Sequence, residues 1–280
     1  NQLSKNWEKD FDALADLIMM SLVVHIDETG WRVGSKNCFT WIFTSITNTV
    51  LLYGEKRNEE VLDRILPLDK FKGVGVSDCY RIYVNRFEKA QKCWAHFLRK
   101  AIKLMLLYPE KDEYRAFFEK LFEIFTAGKK FKQKEKLNDK QKENKVKILQ
   151  SKILTICKEK ETKLSKTTDK DWREFVNLQK NLVRNLDDLF TFVMISEVEP
   201  TNNRAERGFR KTALARNNYQ TSKTKKGAKR RSIIDSVLTS LKQNLSDFSM
   251  ESVTTEVSQW RKTGKSLFQK QLMELRATSP

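Results

Sequence analysis

The sequence predicts an α/β fold, short strands followed by a long run of helices. Three observations carry that prediction. Short runs of β-branched and aromatic residues, separated by turn formers, fill the chain as far as Asp78. From Gln91 to about Val193, apolar residues recur at helical spacing instead. Finally, 9 Gly and 4 Pro are too few for a disordered or loop-dominated chain, while 280 residues with 17 Phe can bury one large core or two small ones.

In order, Leu3 to Met20 places Phe11, Ala13, Leu14, Leu17 and Ile18 as an amphipathic lead-in helix. A short apolar strand over 21–27 follows. It is expected to stop at Asp27-Glu28-Thr29-Gly30, where a carboxylate pair meets turn formers. Alternation puts His25 and Asp27 on one face and Glu28 on the other. Cys38 to Ser45 alternates aromatic and small polar residues, and Thr49 to Tyr53 is a third run. The short connections suggest an antiparallel meander. Asn58 can cap a helix through Leu66, with Glu59 and Glu60 in its first turn. Phe71 to Asp78 is a second apolar strand ending in a carboxylate, so the pattern at Asp27 repeats.

Gln91 leads into a helix that reaches about Tyr108 and stops at Pro109. Residues 113–125 carry a dense face of Phe117, Phe118, Leu121, Phe122 and Phe125. Residues 129–147 hold nine Lys against three acids, which describes a solvated helix face more readily than a specific DNA contact. Trp172, Phe175, Val176, Leu182, Leu186, Leu189 and Phe190 form another packed helix. After Pro200 the character changes. Asn203 to Arg231 contains eleven Lys or Arg and a single acid, Glu206. An amphipathic helix over 228–245 and a last helix over 252–274 close the chain.

The net charge of +18, with a pI near 9.7, attracts polyanions, of which nucleic acid is the commonest. No run of 18 or more apolar residues occurs, so no membrane partner is expected. Cys38, Cys79, Cys93 and Cys157 have no framework spacing, which fits a reducing cytoplasm. Cys93-x-x-His96 has zinc-like spacing, but zinc takes about four ligands and no second pair accompanies it. Packing or support of an active site is the better reading.

A lone carboxylate among eleven cations asks for a reason. Glu206 can pair with Arg210 at i,i+4, the simpler reading of that residue alone. Alternatively Asp27, Asp78 and Glu206 form a set of hard oxygen ligands suited to Mg²⁺ in phosphoryl transfer. The surrounding arginines then bind DNA phosphates. Trp31 and Trp94 could stack on splayed bases, although such aromatics more often belong to the core.

Four stretches, in this order and spacing, resemble the insertion-sequence-66 family of DDE transposases: Asp27-Glu28-Thr29-Gly30-Trp31, Ser77-Asp78-Cys79-Tyr80, Cys93-Trp94-Ala95-His96-Phe97-Leu98-Arg99 and Asn202-Asn203-Arg204-Ala205-Glu206-Arg207. The similarity runs from Val23 to about Gln243. It implies an RNase H-like fold, a mixed five-stranded sheet flanked by helices in which two strands join the first three in parallel, with a large α-helical insertion before the glutamate-bearing helix. The chain then divides into a lead-in helix (1–20), a first part of the core (21–108), the insertion (109–199), the remaining core with the glutamate helix and basic segment (200–245), and a helical tail (246–280).

The resemblance further implies Asp27, Asp78 and Glu206 as catalytic residues holding two Mg²⁺ or Mn²⁺ ions. Cys93, His96 and Asn203 would support the site, and Arg204, Arg207, Arg210, Lys211 and Arg216 would contact DNA. The implied activity is cleavage at the ends of an insertion sequence, freeing a 3′-hydroxyl that attacks target DNA without a covalent protein intermediate. The implied partners are double-stranded DNA, both element ends and target, further copies of the chain on that DNA, and accessory element-encoded proteins. The implied location is a prokaryotic cytoplasm, in association with the nucleoid.

Two positions depart from the family's pattern. Arg216-Asn217-Asn218 replaces the usual Arg-Lys-Asn, and Cys79 stands where glycine is usual. Two other classes stay open: a non-catalytic or domesticated transposase-derived DNA-binding protein, and a structure-specific nuclease on the same fold. The intact triad counts against the first, and cleavage without joining would mark the second. No zinc-finger or helix-turn-helix module precedes Asp27, so recognition of the element ends is expected in a part N-terminal to this sequence.

Overall fold

A computed structural model of the chain describes residues 2–158, 169–218 and 221–278. Part of the expected helical run, 159–168, lies outside the described residues. The chain forms two compact units, one comprising Asn1–Gly75, Arg86–Glu88 and Asn203–Pro280, the other Val76–Asn85 and Lys89–Asn202.

Five strands make one mixed sheet: β1 (Val23–Val33), β2 (Lys36–Thr44), β3 (Thr49–Glu55), β4 (Val74–Ser77) and β5 (Lys89–Lys92), in the order β3-β2-β1-β4-β5. β1, β2 and β3 are the expected antiparallel meander, running from His25 opposite Thr44 to Val33 opposite Lys36. Two local expectations are corrected. β1 does not stop at Asp27 but continues through Val33, and the chain turns at Gly34, whose φ is +58°. Trp31 and Val33 carry on the alternation and are buried, so packing overrides the turn propensity of Thr29 and Gly30. Gln91 belongs to β5 rather than to a helix. Its buried amide is satisfied by partners distant in sequence, which no local pattern announces.

In the first unit, alternation and register assemble one face of the meander. His25, Asp27, Thr29, Trp31 and Val33 share it on β1, with Ile42 opposite Asp27 and Leu51 opposite Ile42. Its helices are α1 (Gln2–Asn6), α2 (Glu8–Met19) and α3 (Glu59–Ile65). After the second unit's five helices come α9 (Asn203–Gly208), α10 (Arg210–Asn217), α11 (Lys225–Asn244), α12 (Met250–Thr263) and α13 (Leu267–Thr278). The expected single lead-in helix is broken at Trp7, and the last helix at Gly264, which adopts φ +70°. Trp31, Val33, Ile42, Leu51 and Tyr53 pack with Ala205, Phe209, Ala215 and Ala228. Each large side chain so buried contributes about 1.5–3 kcal/mol.

β3 is an edge strand, and α11 closes it. The N–H groups of Tyr53, Leu51 and Thr49 donate to Ser232, Ser236 and Ser240 Oγ at 2.9, 2.8 and 2.9 Å. The Ser236 and Ser240 hydroxyls also contact the Leu51 and Thr49 carbonyls. Four helical residues rise about 6 Å and two strand residues about 6.8 Å. Serines at every fourth position therefore meet alternate strand amides, and the edge has no open ladder to offer another chain.

The second unit contains the end of β4, a 3₁₀ turn at Arg81–Tyr83, β5, and helices α4 (Trp94–Leu107), α5 (Asp112–Lys132), α6 (Asp139–Lys158), α7 (Lys170–Arg184) and α8 (Thr191–Met194). Trp94 packs among Phe97, Phe125 and Phe190, while Tyr114, Phe117 and Trp172 surround Phe175. The expected α5 apolar face is narrower than the sequence suggested. Phe117, Leu121 and Phe125 are buried, whereas Phe122 is 48% exposed and stacks on Phe118. At β5, Gln91 donates to the Leu189 carbonyl and accepts the Phe192 N–H, and the Thr191 hydroxyl donates to the Ala90 carbonyl. Among the described residues, no helix is long and apolar enough to cross a membrane.

Candidate active site

Asp27 lies mid-strand on β1, half-buried, and its Oδ1 accepts the Glu28 N–H at 2.9 Å. The neighbouring acid is committed elsewhere. Glu28, on the opposite face, is almost wholly covered and holds Arg57 through both Nη2 (2.5 Å) and Nε (2.7 Å). Arg57 also lies over the Phe39 ring. The adjacent carboxylates are thereby sorted by strand alternation into a structural ion pair and a candidate ligand.

α9 carries Glu206 and packs on β1 and β2. Ala205 and Phe209 enter the buried cluster, and half-buried Glu206 stands beside that contact. Gly208 sets the approach. A Cβ there would fall 2.2 Å from Ile42 Cδ1, and Ile42 is the cross-strand partner of Asp27. The glycine thus lets the Glu206 helix rest directly on the strand pair that carries Asp27. No local pattern in the sequence marks this glycine, because the group that it must clear, Ile42, is distant in sequence.

Asp78 follows the last residue of β4, as the apolar run ending in a carboxylate suggested. Its Oδ1 accepts the Tyr80 N–H at 2.9 Å, closing an Asx turn. Burial pushes the Cys79 thiol beside it up to about 12, so the side chain that replaces the usual glycine is a neutral packing group. Cys93 is buried, and its Sγ accepts the Asn202 N–H at 3.1 Å, while the Trp94 N–H donates to the Pro200 carbonyl. These bonds fasten the chain to the start of α4 immediately before it enters α9. His96 is half-buried in the first turn of α4, and Asn203 is the exposed first residue of α9.

The basic residues divide into placed and solvent-directed groups. Arg216 Nη1 donates to Thr29 Oγ1 and to the Gly30 carbonyl, both at 3.2 Å, and Thr29 shares the Asp27 face. Arg207, Arg210 and Lys211 are exposed on α9 and α10, with Lys211 over the Phe248 ring, and Arg204 is half-buried. Arg231 serves the core. Its guanidinium stacks 4.8 Å from the Trp31 ring centroid and 5.1 Å from Tyr53, and its Nε bonds Asp235. Trp31 and Trp94 are buried with their indole N–H groups bonded to Ser222 and Leu189, so base stacking is not their role.

Asp27, Glu206 and Arg216 thus belong to the first unit, and Asp78, Cys93 and His96 to the second. Asp27 lies within β1, and Asp78 just after β4. A family model described as "Transposase IS66 family" matches residues 1–230. No curated protein and no solved structure matches the chain. The chain belongs to the transposase IS66 family.

Proposed function

We propose that this family member cleaves DNA at the ends of an insertion sequence and joins the freed 3′ end to target DNA, with Asp27, Asp78 and Glu206 as its catalytic acids. The observation that carries the reading is the seating of α9 on the Asp27 strand pair through Gly208 and Ile42. That seating supports a common task for two acids 179 positions apart (206 − 27 = 179). The β1–β3 meander extended by β4 and β5 supports an RNase H-like core, with α5 to α8 supplying the helical insertion.

The donor chemistry fits hard divalent cations, since all three side chains offer carboxylate oxygens. Bound Mg²⁺ or Mn²⁺ ions supply activation of the attacking oxygen and stabilisation of the leaving one. The chain's own contributions are positional. The Glu28 and Tyr80 amides orient Asp27 and Asp78, and Arg57 keeps Glu28 out of the ligand set. Cys93 and Asn202 anchor the entry to α9, where Asn203 begins the helix. Arg216, held beside Thr29, is suited to steer a phosphate towards the Asp27 face, with Arg204, Arg207, Arg210 and Lys211 extending that basic surface.

The test is metal-dependent cleavage of terminal-repeat DNA by purified Asp27→Asn. Loss of cleavage with duplex retention intact is expected. Cutting at the wild-type rate would remove Asp27 from the site, and cleavage by the wild type without joining would identify a structure-specific nuclease.

A further inference from the structure

Lys92 is fully buried at the end of β5, a placement that is rare for lysine and needs partners. Its Nζ donates to the Tyr83 carbonyl at 2.8 Å and reaches Ser77 Oγ at 3.4 Å. Those partners bracket Asp78: Ser77 precedes it, and Tyr83 ends the 3₁₀ turn that follows. Ser77 Oγ itself donates to the Asp78 carbonyl at 3.1 Å. One residue beyond Lys92, the Cys93 N–H donates to the Ser77 carbonyl. The Asp78 turn is therefore closed from within by a single ammonium group.

We propose that Lys92 is a positioning residue for Asp78, clamping the turn over 77–83 so that the carboxylate is held ready for a divalent cation. This rests on the reading of Asp78 as a metal ligand. The burial cost supports it. Desolvation pulls the Lys92 ammonium below the usual lysine range, and the charges of Asp188 and Asp78 oppose that shift. Burial in turn raises the Asp188 carboxyl, with Lys92 opposing. A methionine at this position would fill the space and incur none of that cost. The Lys92 amine here meets a carbonyl and a hydroxyl, partners that order backbone.

Mn²⁺ binding measured by electron paramagnetic resonance, together with amide exchange over 77–84, tests this. Lys92→Met keeps the side chain's length and removes its donors. It should weaken Mn²⁺ about tenfold, the effect of losing an outer-sphere support, and speed exchange of the turn while global stability is retained. Ser77→Ala, a milder change, should weaken Mn²⁺ about threefold, a fraction of that same outer-sphere effect. Unchanged or tighter Mn²⁺ binding in both variants overturns the proposal. Asp78→Asn separates the two layers. If it binds Mn²⁺ normally, the ligand reading itself fails; if it loses Mn²⁺ while Lys92→Met does not, only the role of Lys92 falls.

Discussion

Asp27 and Asp78 end similar apolar runs in the sequence, yet they are held by opposite means. Asp27 sits inside an eleven-residue strand, paired opposite Ile42, on a meander whose outer edge is sealed by the α11 serines. Asp78 lies just beyond a four-residue strand, in a turn held by the Tyr80 backbone N–H, the Ser77 hydroxyl and Lys92, which bonds Ser77 and the Tyr83 carbonyl. The first acid inherits its position from a regular ladder, where many bonds share the load. The second depends on one buried cation. Disturbance of distant packing should therefore reach Asp27 only through loss of the fold, whereas Asp78 can be unseated locally.

The largest effects should erase this contrast. Asp27→Asn and Asp78→Asn each remove a proposed ligand, and loss of metal stabilisation of several kcal/mol would correspond to about 10³-fold or more in cleavage rate. Equal losses from both, read in a single-turnover cleavage assay, would make the two acids partners despite their different supports. A smaller effect separates them. Ser236→Ala leaves the buried Leu51 N–H without its acceptor, costing about 1–3 kcal/mol in urea unfolding. Mn²⁺ affinity of the folded protein should be unchanged, in contrast to Lys92→Met.

Acid sharpens the comparison further. Asp171, buried in the second unit, accepts hydrogen bonds from Lys111 and Tyr114 that hold its carboxyl below the usual range. Its folded value lies below the unfolded one of about 3.9, so its stabilisation is complete above that pH and fades as pH falls through the folded value. Asp171→Asn should flatten that acid limb of the unfolding midpoint. The smallest effect belongs to Arg216→Gln. It should lower the slope of log binding constant against log salt by about 1, with little sequence dependence.

How much of this was legible in the sequence follows from the same contrast. Alternation located the β1 face and sorted Asp27 from Glu28, because a two-residue period needs no knowledge of the partner strand. The end of β1 was misread, since only burial of Trp31 and Val33 reveals that the strand outlasts its turn formers. Lys92, Gly208 and the Ser232-Ser236-Ser240 series were passed over for a common reason. Each acts on a group far away in sequence: the Asp78 turn, Ile42 and the β3 amides. A lysine in a basic chain, one glycine and three serines carry no local mark of such roles.

Asp27 and Asp78 are proposed to serve one metal centre, and Mn²⁺ titration of Asp27→Asn, Asp78→Asn and the double variant tests this most directly. One shared centre predicts that either single change abolishes the same high-affinity binding and that the double variant loses nothing more. Independent, additive losses from the two substitutions would contradict it.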